Sequence, residues 1–295
     1  MPSQISRNKL QHNSWQFEAI GTRWTIETAG LLDDKLKAAI SERIDQFDHI
    51  YSRFRDDSVV TQMSKNAGTF ELSSESGAMA SLYRKLYDAT DGAMTPLVGS
   101  SLVAAGYDKD YSFVPIAPLP SSVWDDVLDW TDSAAIITQP TTLDIGALGK
   151  GMLVDMIGSE LEIAGINNYV IDASGDIRHR GSDTQTIGLE DPNDTTRVIG
   201  MMPLSDASLC ASAVNRRRWG NEWHHVIDAR TGKPTKDIVA TWVIAPTTME
   251  ADGLATALFF VDAGKLQHIT DFQFVRLFAD GRIEYSRDFV GQLYI

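Results

Sequence analysis

Asp252 and Thr256 stand four residues apart in the run Thr247-Thr-Met-Glu-Ala-Asp-Gly-Leu-Ala-Thr256-Ala-Leu-Phe-Phe. Thr247 is followed three residues later by Glu250, just after Pro246, which is the pattern of a capping box, so a helix is predicted to begin here. On that helix the Asp252 carboxylate and the Thr256 hydroxyl share a face. They offer the hard oxygen ligands that Mg²⁺ takes alongside waters and substrate phosphate. By itself the pair reads equally as a first-turn acid favoured by the helix dipole beside an incidental threonine. The second candidate is Asp144-Ile-Gly-Ala-Leu-Gly-Lys-Gly151, between a predicted strand and a predicted helix. Glycines there let backbone approach a phosphate, the helix N-terminus favours anions, and Lys150 adds a point charge. The run is not a Walker loop, because Gly151 stands where Ser or Thr is required, nor is it a G-x-G-x-x-G fingerprint. An ordinary strand-to-helix turn remains open.

Asp172-Ala-Ser-Gly-Asp-Ile-Arg178 is an acidic, glycine-bearing turn after an apolar run, read either as a ligand edge or as a plain tight turn. The run from Arg216 to Pro234 reverses the local acidity with Arg216, Arg217, Arg218, Arg230 and Lys233. It reads as a patch for a small polyanion or as a solvated hairpin turning near Asn221. His224 and His225 point to opposite faces if this is strand, so one of them is a candidate acid or base. The remaining histidines are scattered, and no Gly-x-Ser-x-Gly elbow is present.

These residues need elements to hold them. Trp15 to Ile20 and Thr22 to Thr28 alternate apolar with polar and read as strands joined at Gly21. Helical spacing predicts helices over 34–51, over 76–89, and from Met152 to about Ala164. Strands are predicted at 135–137, 142–145, 169–173 and 241–245. Prolines 115, 118 and 120 make 112–122 a loop and a candidate subdomain junction. Strands and helices without strict βαβ alternation predict an α+β fold of mixed sheets with packed helices. Residues 1–14 are expected to be a flexible tail and 15–295 a single catalytic unit.

The 295 residues carry 40 acidic and 26 basic side chains, a formal charge of −14, which argues against a nucleic-acid binder. Cys210, the one cysteine, excludes an intramolecular disulfide and thiolate-rich metal sites. No apolar run reaches the roughly 20 residues that span a bilayer, and no signal-peptide core appears. A cytoplasmic protein is expected, or an exported one if a leader has been removed.

Taken together, and in this order, Gly21-Thr-Arg-Trp, Phe47-Asp-His-Ile-Tyr-Ser-Arg-Phe-Arg-Asp-Asp-Ser58, Asp91-Gly-Ala-Met-Thr-Pro, Asp144 to Gly151, Ser174-Gly-Asp-Ile-Arg, His225-Val-Ile-Asp-Ala-Arg-Thr-Gly and Glu250-Ala-Asp-Gly-Leu-Ala-Thr resemble the ApbE-type FAD:protein FMN transferases. The resemblance covers nearly the whole chain. It implies an ApbE-like fold and an enzyme that uses Mg²⁺ and takes FAD as substrate. Such an enzyme moves FMN onto a Ser or Thr hydroxyl of an acceptor flavoprotein and releases AMP. Carried over position by position, the metal ligands would be Asp252, Thr256 and the carbonyl of Ala147. FAD would meet Ile20, Met94, Thr95, Pro96, Asp144, Lys150 and Ile227, with Ile20 in the place of a usual Met. His225 and Asp252 are the candidates for handling the acceptor proton. Thr95 replaces a common Asp, Ser174 a Gly and Ala229 a Pro, and Ser212-Ala-Val-Asn lacks a frequent Ser-Gly-Asp. The same site would also serve an FAD pyrophosphatase giving FMN and AMP, or a non-catalytic FAD binder.

Overall fold

The computed structural model describes residues 5–6, 13–220 and 222–294. The alternating runs near the start form strands β1 (Asn13–Ala19) and β2 (Thr22–Thr28), paired antiparallel. The Ile20-Gly21 turn between them has φ of 43° and 74°. Glycine takes such a conformation freely, whereas isoleucine is strained in it. The remaining strands of this sheet are β3 (Tyr169–Asp172), β4 (Asp176–Arg180), β5 (Ser208–Ala213), β6 (Ile238–Ala245), β7 (Gln273–Phe278) and β8 (Ile283–Tyr285). In space they lie in chain order, each antiparallel to the next. Helices and smaller sheets are therefore insertions between neighbouring strands.

Four helices matter for the site: α1 (Asp34–Tyr51), α2 (Ser76–Ala89), α3 (Gly149–Ile163) and α4 (Thr248–Ala257). The first two have the bounds that the periodicity predicts. Strand alternation sorts the large sheet into two cores. Ile171, Cys210, Val243 and Phe274 face the main core with α3 and α4. Val170, Ile177, Leu209, Trp242 and Val275 face the other way, onto Ile187, Leu189, Met202 and Leu204. Those four come from a hairpin, Gln185–Asp191 and Asp194–Leu204, inserted between β4 and β5. The α+β class holds, and every described strand pair is antiparallel.

Three expectations are corrected. Residues 142–145 form no strand; their backbone is held by loops, with the Asp144 N–H donating to the Pro96 carbonyl at 2.8 Å. Helix α3 begins at Gly149 rather than Met152, which puts Lys150 in its first turn. Glycine propensity misleads there, because contact with α4 requires Gly151: an added Cβ would meet the Thr248 carbonyl. The expected tail over 1–14 is broken as well, since Ile5–Ser6 pairs antiparallel with Ile187 and Thr186, and Asn13 and Ser14 belong to β1. Residues 1–4 and 7–12 of that tail, and Asn221, lie outside the described residues.

Candidate functional site

The site forms where α3 and α4 cross beside the β3–β4 turn. The predicted capping box is present, with the Thr247 side chain accepting from the Glu250 N–H and Glu250 reaching back to Thr247. Asp155, one helix away, accepts from the Thr248 and Met249 N–H groups, both at 2.9 Å. Satisfying these free N-terminal donors from α3 locks the two helices in register. The Gly151 N–H then donates to Asp252 Oδ2 at 3.0 Å. Asp252 is buried, and burial together with neighbouring Asp176 pushes its carboxyl well above the ordinary aspartate range. Thr256 follows one turn on and lines the same cavity, as does Ala147.

Lys150 reaches across this junction. Its ammonium donates to the Ala173 carbonyl at 3.0 Å and lies 3.1 Å from Asp176 Oδ2. Burial opposes its charge, but Asp176 and Asp252 outweigh burial and hold it above the ordinary lysine value. Asp176 opens β4 just after Ser174 and Gly175, whose φ values of 56° and 105° make the turn tight. Ser174 stands where glycine is expected, and its hydroxyl ties the strained turn to the Arg23 carbonyl at 2.8 Å.

A second anchor comes from the chain before α3. Arg53 donates to Asp144 Oδ2 at 2.6 Å and to the Tyr107 carbonyl at 2.8 Å. Burial raises the Asp144 carboxyl, but Arg53 outweighs it and leaves the value below normal. Asp144 also accepts from the Gly146 N–H at 2.7 Å, which fixes the loop that presents the Ala147 carbonyl. The segment 93–96 is held equally firmly. Thr95 caps its short helix by accepting from the Leu97 N–H at 3.2 Å, the capping role an aspartate would fill. Ala229 donates its N–H to the Ala93 carbonyl at 3.0 Å, a bond that a proline there could not make. These replacements at 95, 174 and 229 thus carry their own bonds.

The basic stretch folds into a hairpin, Arg218–Trp219 against Trp223–His224, and several of its residues also line the cavity. Its two histidines part company. His224 is buried, with Nε2 on the Thr235 carbonyl at 2.9 Å and Nδ1 accepting from Val226, so it is structural. His225 lines the cavity, and its Nδ1 is sealed with no partner. Burial, with Arg217 second, pulls its value down to about 3, so the imidazole is neutral at physiological pH.

The resulting cavity of about 390 Å³ is lined by apolar side chains (Met94, Val98, Leu102, Ile227, Phe260) and by polar and charged ones (Lys150, Asp176, Asp252, Thr256). An adjoining lobe of about 660 Å³ shares Asp144, Lys150 and Arg217 with it and adds Arg53, Phe54 and Tyr111. Phe54 and Tyr111 stack there at 5.3 Å, nearly parallel. Of the predicted residues, Met94, Thr95, Asp144, Ala147, Lys150, His225, Ile227, Asp252 and Thr256 meet at the cavity. Ile20 lines the adjoining lobe instead. Pro96 is buried and acts through its carbonyl on Asp144. Sequence reasoning assigned no individual role to Arg53 or Asp155, and it placed Asp176 only within an acidic turn and Arg217 only within a basic patch. Arg53 and Asp144 are 91 positions apart, and no local pattern joins them.

Among the described residues no cluster of three or more His, Cys, Asp or Glu is arranged to hold a metal ion. A cation here would draw on hydroxyl, carbonyl and substrate oxygens too. The donor set fits a hard divalent ion: Asp176 and Asp252 are both buried beside Lys150, and Asp176 Oδ1, turned away from the Lys150 contact at Oδ2, has no hydrogen-bond donor.

An α+β scaffold holds this cavity, in which apolar side chains and a buried charged cluster meet. Residues 20–275 match the ApbE family model, and the chain belongs to the ApbE family. Its relatives include the FAD:protein FMN transferase of Salmonella typhimurium, 24% identical over 85% of this chain and 79% of that one. Another, from Haemophilus influenzae, is 26% identical over 75% of this chain and 70% of its own. Among solved structures, the ApbE protein of Thermotoga maritima superposes with a TM-score of 0.80, at 22% identity over 94% of this chain and 97% of that one. The flavin transferase ApbE of Vibrio cholerae gives 0.78 at 20% identity, covering 95% and 99%. Among the described residues no helix is long and apolar enough to cross a membrane.

Proposed function

We propose that this protein is a Mg²⁺-dependent FAD:protein FMN transferase. The observation that carries the reading is the junction of Lys150, Asp252 and Thr256 in a cavity also lined by apolar side chains, in a chain of the ApbE family. Asp252, Thr256 and the Ala147 carbonyl would hold Mg²⁺, which when bound neutralises pyrophosphate charge and stabilises the leaving phosphate. Met94, Val98 and Ile227 take an aromatic end of FAD, and Lys150 faces its phosphates. The acceptor hydroxyl oxygen forms a bond to the FMN-side phosphorus. The bond from that phosphorus to the bridging oxygen breaks, AMP leaves, and the hydroxyl proton passes to a base. His225 is neutral, and burial with Arg217 makes it a weak base by itself; an anion bound beside it would raise its basicity toward that of a proton acceptor.

The test is to incubate the protein with FAD and Mg²⁺, with and without a flavoprotein acceptor, and to follow AMP and in-gel flavin fluorescence. AMP that appears only with acceptor, together with a fluorescent acceptor band, supports transfer. Free FMN and AMP without acceptor would make the protein a pyrophosphatase, and intact FAD would make it a binder.

A further inference from the structure

Most cations around the cleft have a carboxylate partner, although the buried Arg53 Nη2 has no hydrogen-bond partner of its own. Arg53 is held by Asp144 at 2.6 Å, Arg55 by Asp57 at 3.0 Å, Arg216 by Glu190 at 2.9 Å and Arg230 by Asp228 at 2.6 Å. Lys150 lies 3.1 Å from Asp176. Arg217 differs from all of these. It lines both the main cavity and the adjoining lobe, and no carboxylate pairs with it among the described residues. Its guanidinium lies 6.0 Å from the centre of the Tyr107 ring, a distance at the outer limit of cation–π contact that leaves its donors open to the cleft. It is also tethered, because the next strand of its hairpin donates the His225 N–H to the Arg217 carbonyl at 3.2 Å. The charge of Arg217 is felt at Asp144, which lines both lobes, and at His225 and Asp252, which line the main cavity.

An unpaired guanidinium at the junction of two ring-sized lobes is placed for an anion that bridges two ring systems. A planar fork of donors suits adjacent phosphate oxygens better than a point charge does. Resting on the flavin-transferase reading, we propose that Arg217 binds the diphosphate bridge of FAD and makes the cleft selective for a diphosphate-linked dinucleotide over an uncharged flavin. Arg217 is exposed, so replacing it leaves the core intact. Lys150, already paired with Asp176, is then the fixed charge of the junction, and Arg217 the one supplied from the base of the hairpin.

Arg217→Gln and Arg217→Lys are compared with the unaltered protein by tryptophan fluorescence quenching in EDTA, with FAD, ADP and riboflavin as probes. Arg217→Gln is expected to weaken FAD and ADP by roughly 10- to 100-fold, the scale of one charged hydrogen-bonding partner, and to leave riboflavin within about twofold. Arg217→Lys should fall between the two. Unchanged FAD and ADP affinity in Arg217→Gln would overturn the assignment, as would a parallel loss for riboflavin. If the unaltered protein binds neither FAD nor ADP in EDTA, the assignment of Arg217 fails; if it also binds neither with Mg²⁺ present, the flavin-transferase reading fails with it.

Discussion

Asp144 stays ionised in a buried setting because Arg53 lies 2.6 Å away, and that dependence is measurable. Its folded-state value is depressed, so the pair contributes stability above the ordinary aspartate value of 3.8 and loses it as pH falls through the folded value. Arg53→Met strands the carboxylate and is expected to cost about 3–5 kcal/mol in urea unfolding at pH 7. The cost should shrink as pH falls, because the stranded carboxylate, raised by burial once Arg53 is gone, takes up a proton and becomes neutral. Asp252→Asn keeps an acceptor for the Gly151 N–H while removing the charge. The variant is expected to keep its circular dichroism spectrum and to lose more than about 100-fold of Mg²⁺-dependent AMP release, measured by chromatography. Full Mg²⁺-dependent release in that variant would remove Asp252 from the site.

The α3–α4 pair does the positioning, and the cap that starts α4 and the close packing of the two helices can be tested separately. Thr247→Ala removes one cap acceptor and should lower stability by about 1 kcal/mol with little change in FAD affinity. Gly151→Ala sets a methyl group against the Thr248 carbonyl, so the helices must part. Overpacking of that kind costs about 1–3 kcal/mol, and because Asp252 sits on the displaced helix, AMP release should fall with it. A Gly151→Ala protein as active and as stable as its parent would show that the two helices are not held in contact there. These elements were largely legible: the capping box named the start of α4, and the periodicity named α1 and α2 in full. The start of α3 was not, because Gly149 and Gly151 look like helix breakers until the neighbour that requires them is in view.

At the scale of the whole molecule, a formal charge of −14 coexists with a cleft that gathers Lys150, Arg53 and Arg217. Local charge decides small-ligand binding, since screening at about 0.15 M salt limits exposed charges to a range of about 8 Å. FAD affinity is therefore expected to fall as NaCl rises from about 50 to 500 mM, as for a basic protein, in titrations of the intact chain. Tighter binding at high salt would mean that the global negative charge dominates instead. The sequential antiparallel sheet explains how distant segments arrive at one place: each insertion leaves from and returns to adjacent strands.

Residue types and their order were enough to identify a carboxylate and a hydroxyl on one helix face, a glycine-framed lysine, a basic hairpin and an α+β chain. Short-range periodicity and capping encode those features, and they are read within a dozen residues. Which side chains meet was settled only by the fold. Asp176 joins Lys150, Arg53 joins Asp144, and Asp155 caps a helix 93 positions away. The division of labour between His224 and His225 likewise depends on which face the sheet and helices bury. Pairings of that kind depend on burial and on which polar groups the packing leaves unsatisfied, and neither is written in any local stretch of chain.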